Sequence, residues 1–394
     1  MLAQNKVAHS RALKLELAKA RAGTDALFRL ISPEALYSRP IAERHRLIFY
    51  LGHLDAFDWN VMARRVMGAP AFHPEFDKLF ERGIDPVPGE EPSDSPGDWP
   101  RYDEVSAYTL KIREWLDSHL DDFDPWVLQM VTEHRHMHAE TLAYLFHNLP
   151  YDQKRGALPE VTSGAAPANQ MLRIPAGDMV FGQTAGKFGW DNEFAAHSLT
   201  VPKFAVSRFK VSNAEYMEFV QQGGEVPNFW KRDGEKWFWR AMFGLVPLPP
   251  DWPVWVTWEQ ANAYAKWRGL ALPSEAQWQR AASLSTPDAD RDNFDFRRWD
   301  PVSVSAGELG ARAPEQMTGN GWEWTRDLFA PFHGFEADLL YPAYSADFFD
   351  GEHYVLKGAS PRTGRLLTRH SFRNWFRPEY QYMYAGFRLV NGAE

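Results

Sequence analysis

The chain has no cysteine among its 394 residues. Disulfides, thiolate metal sites and a cysteine nucleophile are therefore all excluded. It has no apolar run approaching the ~20 residues of a membrane span. Its first residues lack an apolar segment ending in a cleavage site, so the expectation is a soluble, cytoplasmic protein. Positive charge is in deficit: 43 Lys and Arg stand against 52 Asp and Glu, a net charge of −9. That argues against nucleic acid or an anionic membrane as partner. No internal repeat or low-complexity segment is found. What the chain does have is tryptophan, 17 in all, most of it after residue 229. Aromatic surface on that scale suggests extensive packing or ligand lining.

The length suits two or three domains, and the texture divides in two. The first ~150 residues predict four amphipathic helices, over 8–31, 42–67, 103–121 and 125–147, with a Pro-, Gly- and Asp-rich loop at 84–99. The expected fold is α+β. A four-helix bundle spans 1–155, a Gly-, Ala- and Pro-rich linker 156–170, and an irregular domain of short strands and loops 171–394. Three helices stand out in the last part: 212–221 after Ser212, 257–268 after Thr257, and 274–283 capped by Ser274 with Gln277 three residues on.

Residues 134–140 read His-Arg-His-Met-His-Ala-Glu. His134 and His138 are one helical turn apart on one face, in a stripe with Val127, Val131, Leu142 and Leu145. Two imidazoles pointing into a bundle need partners, because unpaired buried polar groups are costly. A metal ion satisfies both. His53, between Phe49 and Phe57 on the second helix, reads alone as an ordinary core histidine. Beside the inward pair it becomes a third ligand. Neutral imidazoles suit Zn, Fe, Ni and Cu alike. His136 falls off the stripe and is expected to face solvent. Glu140 reads as an acceptor behind an imidazole or as a solvated charge.

From 172 to 390 a set of motifs resembles the formylglycine-generating-enzyme (sulfatase-modifying factor) domain, a relative of C-type lectins. They are Ile174-Pro-Ala-Gly177, Asp191-Asn-Glu193 with His197, Val211-Ser-Asn213, Pro253-Val-Trp-Val-Thr-Trp258, Leu272-Pro-Ser-Glu275 with Trp278, Gly319-Asn-Gly-Trp-Glu-Trp324 and Ala385-Gly-Phe-Arg388. The enzyme that names that domain works through cysteines, so its activity is excluded here. The first half resembles a DinB-type metal-binding bundle. The spacing His134-x-x-x-His138-x-Glu140 after His53 resembles the family that fuses the two domains, the nonheme-iron sulfoxide synthases of ergothioneine and ovothiol biosynthesis together with selenoneine synthase.

That resemblance implies Fe(II) held by His53, His134 and His138, and small-molecule substrates: O2, a chalcogen donor, and histidine or its trimethylated betaine, hercynine. It implies Tyr341 as the catalytic tyrosine, delivering a proton or an electron to bound oxygen, with Tyr344 lining the pocket. Asn374 and Trp375 match the positions that hold the betaine. An aromatic face suits a quaternary ammonium, and Asn can bind a carboxylate. Two departures bear on specificity. Phe376 and Tyr380 occupy positions where enzymes using γ-glutamylcysteine place an Asp and an Arg. Met137 replaces a Gln beside the iron. An uncharged aromatic pair favours a selenosugar, although Arg377 and Arg373 remain available for a carboxylate. The alternatives are an ergothioneine enzyme using cysteine or γ-glutamylcysteine, an ovothiol-type enzyme acting on histidine, a zinc-dependent thiol transferase, and a non-catalytic lectin-like binding protein.

Overall fold

A computed structural model describes residues 2–82, 92–158, 161–306 and 313–391. The first half of the predicted 84–99 loop, two positions of the predicted linker and the last three residues lie outside these. Contacts divide the chain into two compact units, Met1–Ala157 and Leu158–Glu394. The class is mixed α+β. No helix among the described residues is long and apolar enough to cross a membrane.

The first unit contains α1 (Leu2–Phe28), α2 (Leu47–Asp58), α3 (Pro74–Arg82), α4 (Tyr102–His119) and α5 (Pro125–His147). Four of these are the predicted helices. α2 runs on as a π-helix over Trp59–Val66, a form common near functional sites. The short α3 was not predicted. It packs on α2, and Gly52 permits this: a Cβ there would meet the Phe80 ring at 2.5 Å. Glycine within a helix costs about 1 kcal/mol relative to alanine; here the cost is offset by the close approach of a buried aromatic ring. α5 starts where Asp124 accepts from the Trp126 amide at 2.8 Å and Pro125 takes the first turn, where a missing N–H does no harm.

The second unit has twelve short strands among its described residues. A three-stranded sheet orders β1 (Met171–Ile174), β4 (Phe204–Ser207) and β12 (Val390–Asn391). A four-stranded sheet orders β10 (Asn374–Phe376), β9 (Tyr354–Lys357), β8 (Trp322–Leu328) and β11 (Ala385–Gly386). Two ribbons complete it, β2 (Gly177–Phe181) with β3 (His197–Val201), and β5 (Trp230–Asp233), β6 (Lys236–Ala241) and β7 (Gly244–Pro247). The helices α6 (Asn213–Gln221), α7 (Trp258–Trp267) and α8 (Glu275–Ala282) begin at Ser212, Thr257 and Ser274, each closing a reciprocal capping box. A single turn, α9, spans Ala289–Asp292. Trp190, Trp239, Trp255, Trp278, Trp322 and Trp324 are fully buried, so much of the tryptophan excess is core. Gly321 has φ +132°, and a Cβ there would strike Trp255 Nε1 at 2.6 Å, which is why that motif needs glycine. Within the predicted linker, the Ser163 hydroxyl and Gly164 amide donate to Asp251 at 3.0 and 3.1 Å. That stretch is tied to the second unit rather than standing free.

Candidate metal centre and aromatic site

His134 and His138 stack one turn apart on α5 with ring centroids 4.5 Å apart, and His53 on α2 meets them at 5.2 and 4.7 Å. One ring nitrogen from each lies within 4.8 Å of the other two. His53 Nδ1 lies 2.7 Å from the Phe80 carbonyl. A carbonyl only accepts, so Nδ1 carries the proton and Nε2 keeps its lone pair. That Nε2 lies 3.1 Å from His138 Nε2. Two nitrogens each ~2.1 Å from one ion and roughly 90–110° apart would be separated by about 3.0–3.4 Å, so the spacing fits a shared metal. Burial, then the neighbouring imidazole charges, push His134 and His138 well below the ordinary histidine range. Both are therefore neutral ligands at physiological pH. Phe57 stacks on His134 at 3.4 Å and 9°, and Phe49 on His53 at 4.8 Å and 28°, holding the ring planes.

Behind the ligands lies a charge network absent from the sequence reading. The fully buried Arg135 donates to Asp55 and Asp58 at 2.8 Å each and to the Leu54 carbonyl at 3.0 Å. Arg113 grips Asp25 at 2.7 and 2.9 Å and Asp55 at 2.9 Å. Arg21 reaches Asp117 at 2.6 Å and Asp58 at 3.4 Å. Residues of α1, α2, α4 and α5 thus share one polar core, which sets the helix register that brings His53 to the α5 pair. Burial pushes the Asp55 carboxyl up, but Arg135 and Arg113 hold it below the usual range. One expectation fails: His136 is half-buried, not solvent-facing. Glu140 is buried, which removes the solvated-charge alternative. Met137 is half-buried beside the ligands in sequence.

In the second unit, Tyr341 and Tyr344 share a turn, with the Tyr344 amide donating to the Tyr341 carbonyl at 3.1 Å. Asp338 Oδ1 starts that turn by accepting from the Leu340 and Tyr341 amides at 2.7 and 3.2 Å. Tyr344 is buried, stacks on Trp190 at 4.1 Å and meets Trp375 edge-on at 5.3 Å. Tyr341 lies 5.6 Å from Tyr344 and 6.4 Å from Trp190. Trp375 lies flat on Phe329 at 4.2 Å and 7°. Three predicted residues, Tyr341, Tyr344 and Trp375, therefore form one aromatic wall. Asn374 accepts from the Trp375 amide at 2.9 Å, leaving its NH2 as a donor.

Phe376 and Tyr380 stack on each other at 4.8 Å and 20°. Strand alternation puts Phe376 with Asn374 and turns Trp375 to the opposite face of β10, so the aromatic pair and the wall are separate groups. Arg377 pairs with Glu352 at 2.9 Å at the surface. The expectation that Arg373 is available for a carboxylate fails. It is buried, and donates to Glu275 at 2.9 Å, the Asn192 carbonyl at 3.1 Å and the Ala330 carbonyl at 3.0 Å. Trp190, Asp191, Asp338 and Ser345 belong to the surroundings of the wall and were missed. Their only trace in the sequence is the Asp191-Asn-Glu193 motif, which was read for fold alone.

The sulfatase-modifying factor enzyme 1-like domain model matches residues 158–393. Hercynine oxygenase of Mycolicibacterium thermoresistibile is 33% identical over 324 residues, 71% of this chain and 72% of that protein. Hercynine oxygenase of Mycolicibacterium smegmatis is 30% identical over 338 residues, 73% of this chain and 77% of that protein. Ergothioneine biosynthesis protein 1 of Schizosaccharomyces pombe is 27% identical over 421 residues, 92% of this chain. The chain spans 54%, about half, of that relative's length.

Proposed function

The chain belongs to the sulfatase-modifying-factor-like domain family and, within it, to the hercynine oxygenases and their ergothioneine-biosynthesis relatives, and from that premise we propose that it is a cytoplasmic Fe(II)- and O2-dependent enzyme that joins a chalcogen to the imidazole ring of hercynine. The observation that carries the proposal is the convergence of three imidazoles on two helices, each with a ring nitrogen within 4.8 Å of the others. His53, His134 and His138 hold the iron. Bound there, Fe(II) supplies O2 activation and open coordination positions. Tyr341 Oη delivers a proton to the reacting oxygen. Trp375 and Tyr344 offer aromatic faces to the trimethylammonium group, and the Asn374 NH2 donates to the carboxylate. Met137 adds apolar surface beside the ligands.

For the donor we favour a selenosugar. The Phe376–Tyr380 stack offers faces on which sugar C–H groups pack. Arg373 is committed inside the fold and Arg377 is paired with Glu352. A zwitterionic peptide donor would leave charges without partners, which is strongly disfavoured when they are buried. The sulfoxide-synthase reading with cysteine or γ-glutamylcysteine is the competing outcome. The test loads the full chain with Fe(II) anaerobically, admits O2 with hercynine, and offers selenosugar, cysteine and γ-glutamylcysteine at equal concentration. Selenium-bearing product should dominate by mass spectrometry. Dominant γ-glutamylcysteine product overturns the donor assignment, and unchanged iron content and turnover in His53→Ala overturns the metal centre.

A further inference from the structure

The turn at 190–193 touches both segments to which the proposed function assigns chemistry. Glu193, fully buried, accepts from Arg369 Nη2 and Nε at 2.5 and 2.8 Å and from Ser371 Oγ at 2.7 Å. The Asn192 carbonyl accepts from Arg373 at 3.1 Å. These bonds tie the turn to the segment that leads into Asn374 and Trp375. On the other side, Ser345, also fully buried, donates to the Asp191 carboxylate. Asp338 holds the other end from within the loop, its Oδ1 accepting from the Leu340 and Tyr341 amides. Asp338 and Ser345 are the two ends of the loop that carries Tyr341 and Tyr344. Asp191 is itself fixed from within, its Oδ1 accepting from the Asn192 amide at 2.7 Å. Next to it in sequence, Trp190 supplies the face on which Tyr344 stacks.

We propose that Asp191 is a positioning residue for Tyr341: its carboxylate clasps the Ser345 end of the 338–345 loop, beside the Trp190 ring on which Tyr344 stacks, and so sets where the Tyr341 phenol stands. The reason is geometric. The backbone bonds at Leu340, Tyr341 and Tyr344 include local turns, Leu339 is exposed, and Tyr344 packs on Trp190, the sequence neighbour of Asp191. Holding Ser345 through Asp191 and the Tyr344 ring through Trp190 restricts where Tyr341, three residues before Tyr344, can stand, and a hydrogen bond to a buried carboxylate is stronger than a neutral one. Without the clasp the phenol retains its chemistry but loses its fixed place, and misplacement by about 1 Å is enough to slow a reaction severely.

This inference rests on the role proposed for Tyr341, and the experiment separates the two. Full-length wild type, Asp191→Asn, Ser345→Ala and Tyr341→Phe are loaded with Fe(II) and given hercynine and the preferred donor. The readouts are kcat, KM for hercynine, and O2 consumed per imidazole product formed. Asp191→Asn and Ser345→Ala should lower kcat by about tenfold, leave KM within about twofold, and raise the O2 consumed per product in the same direction as Tyr341→Phe. A merely structural loss lowers active fraction and leaves that ratio at its wild-type value. Folded variants with the wild-type ratio, alongside a Tyr341→Phe enzyme whose ratio has changed, overturn the positioning role. If Tyr341→Phe itself keeps the wild-type ratio, the tyrosine assignment has failed and the clasp has nothing to position. Should Asp191→Asn not fold, Ser345→Ala decides the question alone.

Discussion

The three histidines stand on two long helices, whereas Tyr341, Tyr344 and Trp375 stand on a loop and a three-residue strand. On α5 the distance between His134 and His138 follows from helical periodicity, and the neighbours on either side suffice to fix it. In the second unit the side chains that hold the aromatic wall come from far away in sequence: Asp191 and Ser345 are 154 residues apart, Glu193 and Ser371 178. In the bundle local geometry places the α5 pair and the long-range Arg135 network brings His53 to it, whereas in the second unit long-range bonds place the whole wall. The two halves are alike in burying ions. Arg135 sits between Asp55 and Asp58 in the bundle, and Glu323 sits between Lys210 and Arg388 in the second unit, all at most 1% exposed.

The largest effect is expected from Arg135→Met. It removes the fully buried cation shared by Asp55 and Asp58, leaving the first to Arg113 and the second to Arg21 at 3.4 Å, and breaking a buried pair costs about 3–5 kcal/mol. Urea unfolding should show it, along with loss of iron as the helix register relaxes. A cost under ~1 kcal/mol would mean that the network does not set the register. Next comes Glu323→Gln, whose effect depends on pH. Burial pushes Glu323 up, but Arg388 and Lys210 outweigh it and hold the carboxyl below its ordinary 4.5. A folded pKa below the unfolded one gives stability that is present above pH 4.5 and lost as pH falls through the folded value. The wild-type unfolding free energy should therefore drop below pH 4.5, and Glu323→Gln should flatten that drop while binding metal normally.

Gly52→Ala is smaller in stability but specific to the metal. Overpacking against Phe80 costs about 1–3 kcal/mol. Displacing the Phe80 carbonyl from His53 should weaken metal binding roughly 10–100-fold, as loss of an outer partner commonly does. Calorimetric titration of the purified protein with Fe(II) or Co(II) would register it, and unchanged affinity would dissociate α3 from the site. Smallest is Ser274→Ala, which removes the cap bond to the Gln277 amide. It should cost about 1 kcal/mol and leave metal affinity untouched.

This contrast also explains what could be read in the sequence. The limits of α5, the three Ser and Thr caps and the inward histidines all follow from patterns within a few residues, and the structure has each. α3 escaped because nine residues carry little periodic signal, and its place depends on Gly52, a residue that ordinarily argues against close helical order. The Arg135 network escaped because charges alternating with histidines look like a solvated face until four helices close around them. In the second unit, strands of two to seven residues are too short for alternation to register. There the motifs identified the fold, and the resemblance, not the pattern, pointed to Tyr341, Tyr344 and Trp375. Arg373 shows the limit of reading charge from sequence: its guanidinium serves the interior.

The Phe80 carbonyl belongs to α3. It accepts from His53 Nδ1–H at 2.7 Å. The imidazole whose Nε2 faces the other two histidines is thus also tied to a neighbouring helix, and ion binding and the order of that helix are linked. Any ion that immobilises the His53 ring strengthens the end of α3, and by thermodynamic reciprocity anything that orders α3 tightens the ion by the same factor. Metal loading should therefore slow amide exchange along Pro74–Arg82, making a helix that contributes no side-chain ligand a reporter of occupancy.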